Sequence, residues 1–411
     1  MPSPISLIAR ASDPRDPRFW HRWAISLWCV LAVAASCKAY TRPGNHSVYR
    51  YFPESARHWW ADLNLYGSYP GFDPFRYSPT FAVAATPFGL APDTWGEIAW
   101  IVCSVGLLLW ALRSWARVML PGGWSIGREA AFLGLALPAS IGGIWSSQAN
   151  AIILASVLFA MLAIRRERWW SAAWLLAMPV FIKIWPLVVA LMLVIRWPKQ
   201  LAWRIAVAGG LLAVVPFLTR PFPIVCRQYA DWYAALTGPL QGRWGGYRDA
   251  WTIWEHLAPP VSPAGFKLLQ IATLAAVLVW CGWQSRRLVR VETYLVAVLA
   301  AWSAWQLLFG PGTERLTYGL VAPAQAWAVL ASFRERRLRA LSVAALAVTG
   351  VFSMGDFEKL TSRLLPHAEV ILPFGIVAFL VWVVAWRWRA PSTAVDVDSQ
   401  APVSPRFLAS A

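Results

Sequence analysis

The stretch WSAAWLLAMPVFIKIWPLVVALMLVI, from Trp170 to Ile195, decides the fold class. Lys183 is its only charged residue, and the run is too long for one passage through a bilayer and short for two. Lys183 and Pro186 interrupt it near the middle, so it reads as a tight helical hairpin with those two residues at the tip. Apolar runs of spanning or near-spanning length lie on both sides of it. Upstream are Trp23 to Ala39, Thr94 to Leu112, Ala130 to Ile144 and Gln148 to Ile164. Downstream are Leu201 to Leu218, Ala264 to Trp283, Glu292 to Phe309, Leu316 to Phe333, Leu338 to Ser353 and Val370 to Trp386. With two helices in the hairpin the chain has about twelve spans, an all-α polytopic membrane protein. Its 58% hydrophobic and 14% charged residues exclude an ordinary soluble domain with a single core.

The formal charge of +17 does not mark a nucleic-acid binder, because the basic residues come as short clusters between apolar runs. Arg10, Arg15, Arg18 and Arg22 precede the first span; Arg165, Arg166 and Arg168 form another cluster, as do Arg334, Arg336, Arg337 and Arg339. By the positive-inside rule these loops are cytoplasmic, and so are both termini. Many of the 29 tryptophans sit beside such clusters, as Trp169 and Trp170 do after Arg168, where amphipathic rings suit the headgroup level. The five scattered cysteines indicate neither a disulfide framework nor a metal site. An uncleaved first helix is the simpler reading of the N-terminal region.

The organisation that follows is a cytoplasmic tail at 1–22, a transmembrane domain at 23–387 and a disordered cytoplasmic tail at 388–411. The outer loops are 40–93, after helix 1; 219–263, between helices 7 and 8; and 354–369. They hold most of the carboxylates, and long polar loops on one side of a helical scaffold are where function is expected. The setting is the cell membrane, with the lipid bilayer as partner, the site on the extracytoplasmic face, and no nucleic acid, metal or cofactor.

No phosphate-binding glycine loop, zinc-type spacing or nucleophile elbow occurs in the sequence. The candidates are polar residues at membrane depth or in the outer loops, where burial is costly. His46, Glu54 and Asp62 are possible bases in the first outer loop, which also carries Tyr49, Tyr66, Arg76 and Tyr77. Gln148 and Asn150 open a span, Lys183 is at the hairpin tip, and Glu314 and Arg315 occupy a short outer turn. Each has a structural competitor. Glu54 and Asp62 can pair with Arg50, Arg57 or His58; Gln148 and Asn150 can cap a helix; Lys183 can snorkel to the interface.

Phe75-Arg76-Tyr77-Ser78-Pro79, then Gln148-Ala149-Asn150 opening a span, then Lys183-Ile184-Trp185-Pro186, resembles glycosyltransferase family 87 in residues and order. The resemblance covers Trp23 to Leu218, and beyond that only the helix count and the turn from Gly310 to Arg315. It implies a GT-C-like bundle and an inverting hexosyltransferase, with a polyprenyl-phosphate sugar, mannose-type favoured, as donor and an acceptor hydroxyl of unknown nature. It also implies a carboxylate base a few residues before Tyr49, where this chain has Asn45-His46-Ser47, so His46 is the substitute considered first. Tyr49, Tyr66 and Tyr77 would stack on sugar or line an isoprenoid groove, and Arg76, Lys183 and Arg315 would meet the phosphate. A secondary transporter and an inactive lipid-sugar-binding relative are the alternative readings; the absence of a match between the two halves argues against the first.

Overall fold

A computed structural model describes residues 14–69, 75–237, 246–257, 261–287 and 290–388. The terminal segments expected to be disordered, with Arg10 and Arg389, and the loop residue Asp73 lie outside the described residues. The described chain is helical, with no strand; a single antiparallel bridge joins Tyr247 to Glu314.

Helix α1 (Pro17–Thr41) starts where the Asp16 side chain accepts from the Arg18 amide and Pro17 occupies the first turn. The loop after it folds into α2 (Tyr51–Trp60), α3 (Pro79–Ala84) and α4 (Thr86–Leu90), with Ser78 capping α3 through the Phe81 amide. The following helices are α5 (Asp93–Met119), α6 (Ile126–Trp145), α7 (Asn150–Arg165), α8 (Trp169–Ile182), α9 (Pro186–Arg196) and α10 (Pro198–Val214). The second long loop carries α11 (Phe222–Thr237) and α12 (Ala250–Leu257). The chain ends in α13 (Pro263–Arg287), α14 (Val291–Phe309), α15 (Ala322–Glu335), α16 (Arg339–Phe352), α17 (Gly355–Ser362) and α18 (Ile371–Trp388).

Among the described residues seven helices are long and apolar enough to cross a bilayer alone, or eight spans if the bent pair α16 and α17 counts as one. That is fewer than the sequence suggests: α7, α8 and α9 are apolar but short, with 16, 14 and 11 residues, and the 20-residue α6 is not among the seven. At 1.5 Å per residue, 11 residues rise only about 17 Å against a hydrocarbon core of about 30 Å. The interruption read at Lys183 is present: α8 stops at Ile182, Lys183 is extended, and Pro186 opens α9.

Helix α14 is the centre of the bundle, with 83% of its apolar window buried, whereas α13 has 11%. Small residues let backbones approach, as expected where lipid removes the hydrophobic drive between helices. A Cβ on Gly143 would stand 3.0 Å from the Leu316 carbonyl, and one on Gly142 3.1 Å from that of Ser353.

The ends of the helices carry different polar chemistry. At the arginine-rich end, where α1 and α6 begin and α5 ends, the buried Glu129 accepts from Arg113 Nε (2.8 Å) and Trp124 Nε1 (2.6 Å) and lies 3.0 Å from His21 Nε2. Arg165 and Glu292 pair between α7 and α14 there. The long loops gather at the other end.

Candidate functional site

At the long-loop end the break between α8 and α9 presents Lys183. Its Nζ donates to Gln148 Oε1 at 3.2 Å and to Asn150 Oδ1 at 3.0 Å. Gln148 Nε2 donates to Glu314 Oε2 at 3.4 Å, and Asn150 Nδ2 to the Leu316 carbonyl at 3.3 Å. Among the described residues no carboxylate lies within ion-pair distance of the ammonium. Desolvation pulls the Lys183 ammonium below its ordinary value, and Glu314 opposes that shift. The capping role considered for Gln148 and Asn150 is not the one observed: neither caps α7, and both aim an amide oxygen at the lysine.

The first long loop is fastened to this break. Ser78 donates its backbone N–H (3.3 Å) and hydroxyl (2.6 Å) to the Phe181 carbonyl, two residues before Lys183. That brings in Arg76, whose Nη1 donates to the Tyr247 hydroxyl at 3.2 Å, and Tyr77, a buried ring stacked on Phe81. Tyr66 donates its hydroxyl to the Tyr77 carbonyl at 2.8 Å and thus braces this strand of loop. Burial raises the phenol pKa of both tyrosines, so they stay neutral.

Glu314 and Arg315 form the facing wall. The backbone bridge from Glu314 reaches Tyr247, and the Arg248 amide donates to the Thr313 carbonyl at 2.8 Å. Arg248 is paired with Glu358, its Nε at 2.8 Å, and Arg315 Nε lies 4.0 Å from the same carboxylate. Gly355 makes room for Arg315, since a Cβ there would collide with the guanidinium.

The three candidate bases fall in different surroundings. His46 is exposed in left-handed backbone (φ 49°), and its ring has no hydrogen bond or ion pair among the described residues. Asp62 is exposed and paired with Arg220 at 3.2 Å, not with the arginines of its own loop. Glu54 pairs with Arg57 (3.3 Å) and His58 (3.1 Å), as the structural reading expects, yet it also lines a cleft with Tyr51, His58, Tyr69 and Phe75. Phe75, in the wall of this cleft, directly precedes Arg76 in the chain. Tyr49 belongs to the packing beneath the loop: it is 1% exposed, edge-on to Phe52 and Phe88, with its hydroxyl against Gly96.

Sequence reading overlooked Tyr247, Arg248 and Glu358 as a unit, because their partners are far apart in the chain. It also passed over Glu97, a buried carboxylate accepting from Ser47 Oγ (2.6 Å) and Ser147 Oγ (2.7 Å). A glutamate inside the apolar run from Thr94 to Leu112 was the available signal. It ties the first loop to the turn before α7.

A polytopic helical bundle whose long-loop end gathers a desolvated lysine, three arginines, two carboxylates and aromatic walls is a membrane protein with its polar groups concentrated at one end, where burial is costly and function is expected. Within that class the assignment is definite: the family model of glycosyltransferase family 87 matches residues 75–355, more than half the chain, and the protein belongs to that family. It is a membrane glycosyltransferase. The match includes Arg76, Tyr77, Gln148, Asn150, Lys183, Glu314 and Arg315, and begins after His46, Tyr49, Glu54, Asp62 and Tyr66. No curated protein matches the chain.

Proposed function

We propose that the protein is an inverting hexosyltransferase of the GT-C type that moves a sugar, mannose-type favoured, from a polyprenyl phosphate to an acceptor hydroxyl on the extracytoplasmic face of the cell membrane. In this reading α1, α5 to α10, α13 to α16 and α18 make the twelve passes, with both termini cytoplasmic. The observation that carries it is Lys183, held by two neutral amide oxygens while Glu314 stands one residue further back. A carboxylate in direct contact would neutralise the ammonium; amides orient it and leave its charge for a phosphate.

The chemistry follows from that charge. The acceptor oxygen attacks the anomeric carbon as the bond from that carbon to the phosphate oxygen breaks, and polyprenyl phosphate leaves with the bonding pair. Lys183, Arg76 and Arg315 stabilise the developing phosphate charge in a partly dry site. The hydroxyl proton goes to a base, and Glu54 is the base we favour, because it lines the cleft beside Arg76 and has His58 to steady it. The apolar wall offered by Phe75 and Tyr77 suits an isoprenoid chain.

The test is transfer by the purified protein from polyprenyl-phosphate mannose and glucose to a panel of lipid and peptide acceptors. Glu54→Gln should lower the rate by about 10²–10⁴-fold with the donor still bound. Activity unchanged in Glu54→Gln but lost in His46→Ala would move the base to the imidazole. Donor binding with no transfer to any acceptor would favour a lipid-sugar-binding role.

A further inference from the structure

His256, at the end of α12, and His367 and Glu369, ahead of α18, come from loops more than a hundred residues apart in the sequence. The fold brings one ligand atom of each within 4.8 Å of the others. His256 Nε2 lies 3.0 Å from Glu369 Oε1, and His367 Nδ1 lies 3.9 Å from the same oxygen. We propose that these three side chains bind a divalent transition-metal ion of the zinc type, clipping the second long loop to the segment before the last helix.

The distances suit it. A tetrahedral zinc ion with bonds of about 2.0–2.1 Å sets neighbouring ligand atoms about 3.3 Å apart. The two separations from Glu369 Oε1, 3.0 and 3.9 Å, bracket that value, and the ligand nitrogens of the two histidines lie within 4.8 Å of each other. Two imidazoles and one carboxylate form a borderline donor set that prefers zinc-like ions to calcium or magnesium. The imidazole rings of His256 and His367 face each other at 4.5 Å and 30°. His256 and Glu369 are about a quarter exposed and His367 about half, which leaves the ion a way in and a fourth position for water. His367 has left-handed backbone (φ 59°), a conformation that turns its ring toward the other loop and costs energy that ligation can offset.

The same two loops are also joined by the pair between Arg248 and Glu358, whose carboxylate faces Arg315. An ion at the histidines would therefore stiffen the segment that carries the arginine wall. Its role is structural, and it does not enter the transfer reaction.

The test is a Zn²⁺ titration of the full-length chain in detergent, stripped beforehand with a chelator, read by competition with a chromophoric zinc indicator. The wild type should take up one ion, and His256→Ala and His367→Ala should each weaken uptake by at least about tenfold. His46→Ala and His58→Ala, which remove histidines outside the cluster, should bind as the wild type does. Co²⁺ loading of the wild type, independent of any variant, should give the visible absorption of a tetrahedral site. Absence of one-ion uptake, wild-type affinity retained in both cluster variants, or a Co²⁺ spectrum of a fully hydrated ion would each overturn the proposal.

Discussion

Glu129 at the arginine-rich end and Lys183 at the long-loop end are both charged groups drawn into a helical bundle, and they are handled in opposite ways. Glu129 is met by Arg113, Trp124 and His21, so its charge is answered by a guanidinium, an indole donor and an imidazole in direct contact. Lys183 is met by Gln148 and Asn150, which accept its protons without cancelling its charge. A charge satisfied in this first way fastens helices together, while one merely oriented remains able to attract a ligand. The sequences around them do not tell the two treatments apart, since each residue sits beside an apolar run.

The sharpest way to break the comparison is to remove each charge while keeping the shape. Lys183→Met should lower sugar transfer by about 10²–10³-fold, the usual scale for losing one preorganised group at a developing anion. Its melting temperature should match or exceed that of the wild type, because a desolvated cation is gone. If transfer survives in Lys183→Met, the ammonium is not the phosphate partner.

The protonation state of Lys183 gives the next test. Burial lowers its pKa, so the cation is present below that lowered pKa and is lost as pH rises through it, earlier than for an exposed lysine. Transfer should accordingly fall on the alkaline side. Lys183→Arg, charged across that range, should show no such limb in whatever activity it keeps, and a pH–rate profile of both proteins decides it.

Gly355→Ala should act more mildly. The new methyl displaces the flexible end of Arg315 and leaves the backbone alone, so transfer should drop by about tenfold, within the range that misplacing one positioning group costs. Unaltered kinetics would place Arg315 outside the site. Glu129→Gln should have the smallest catalytic effect, within about threefold, while lowering stability by about 1–3 kcal/mol, as Arg113 loses its opposite charge and Trp124 Nε1 meets an amide N–H where it had an acceptor. A thermal melt in detergent beside the transfer assay checks both halves, and a large catalytic loss with an unchanged melt would erase the contrast between the two ends.

The extent to which this was legible in the sequence differs by residue. The interruption at Lys183 was readable because Pro186 and one charge stand out against apolar residues on either side. Gln148, Asn150, Glu314 and Arg315 were readable as candidates, and the structure joins Gln148 and Asn150 to Lys183 and links Glu314 to them through Gln148. The first loop was harder, since its many aromatics and charges look alike in a list: Tyr49 turned inward, Asp62 found Arg220 some 160 positions away, and Glu54 kept its near neighbours while lining a cleft. Arg248 with Glu358, and His256 with His367 and Glu369, left no local trace.

By itself the sequence determined the solvent, the helical class and the sorting of charge between the two ends, because hydropathy and arginine placement act locally along the chain and need no partner. It also fixed where α8 must stop and α9 begin. Only the tertiary structure decided which polar groups meet: whether a lysine faces a carboxylate or an amide, and which loop an arginine pairs with, depends on contacts between segments far apart in the chain. Those contacts separate Glu129, paired with a guanidinium, from Lys183, held by two neutral amides.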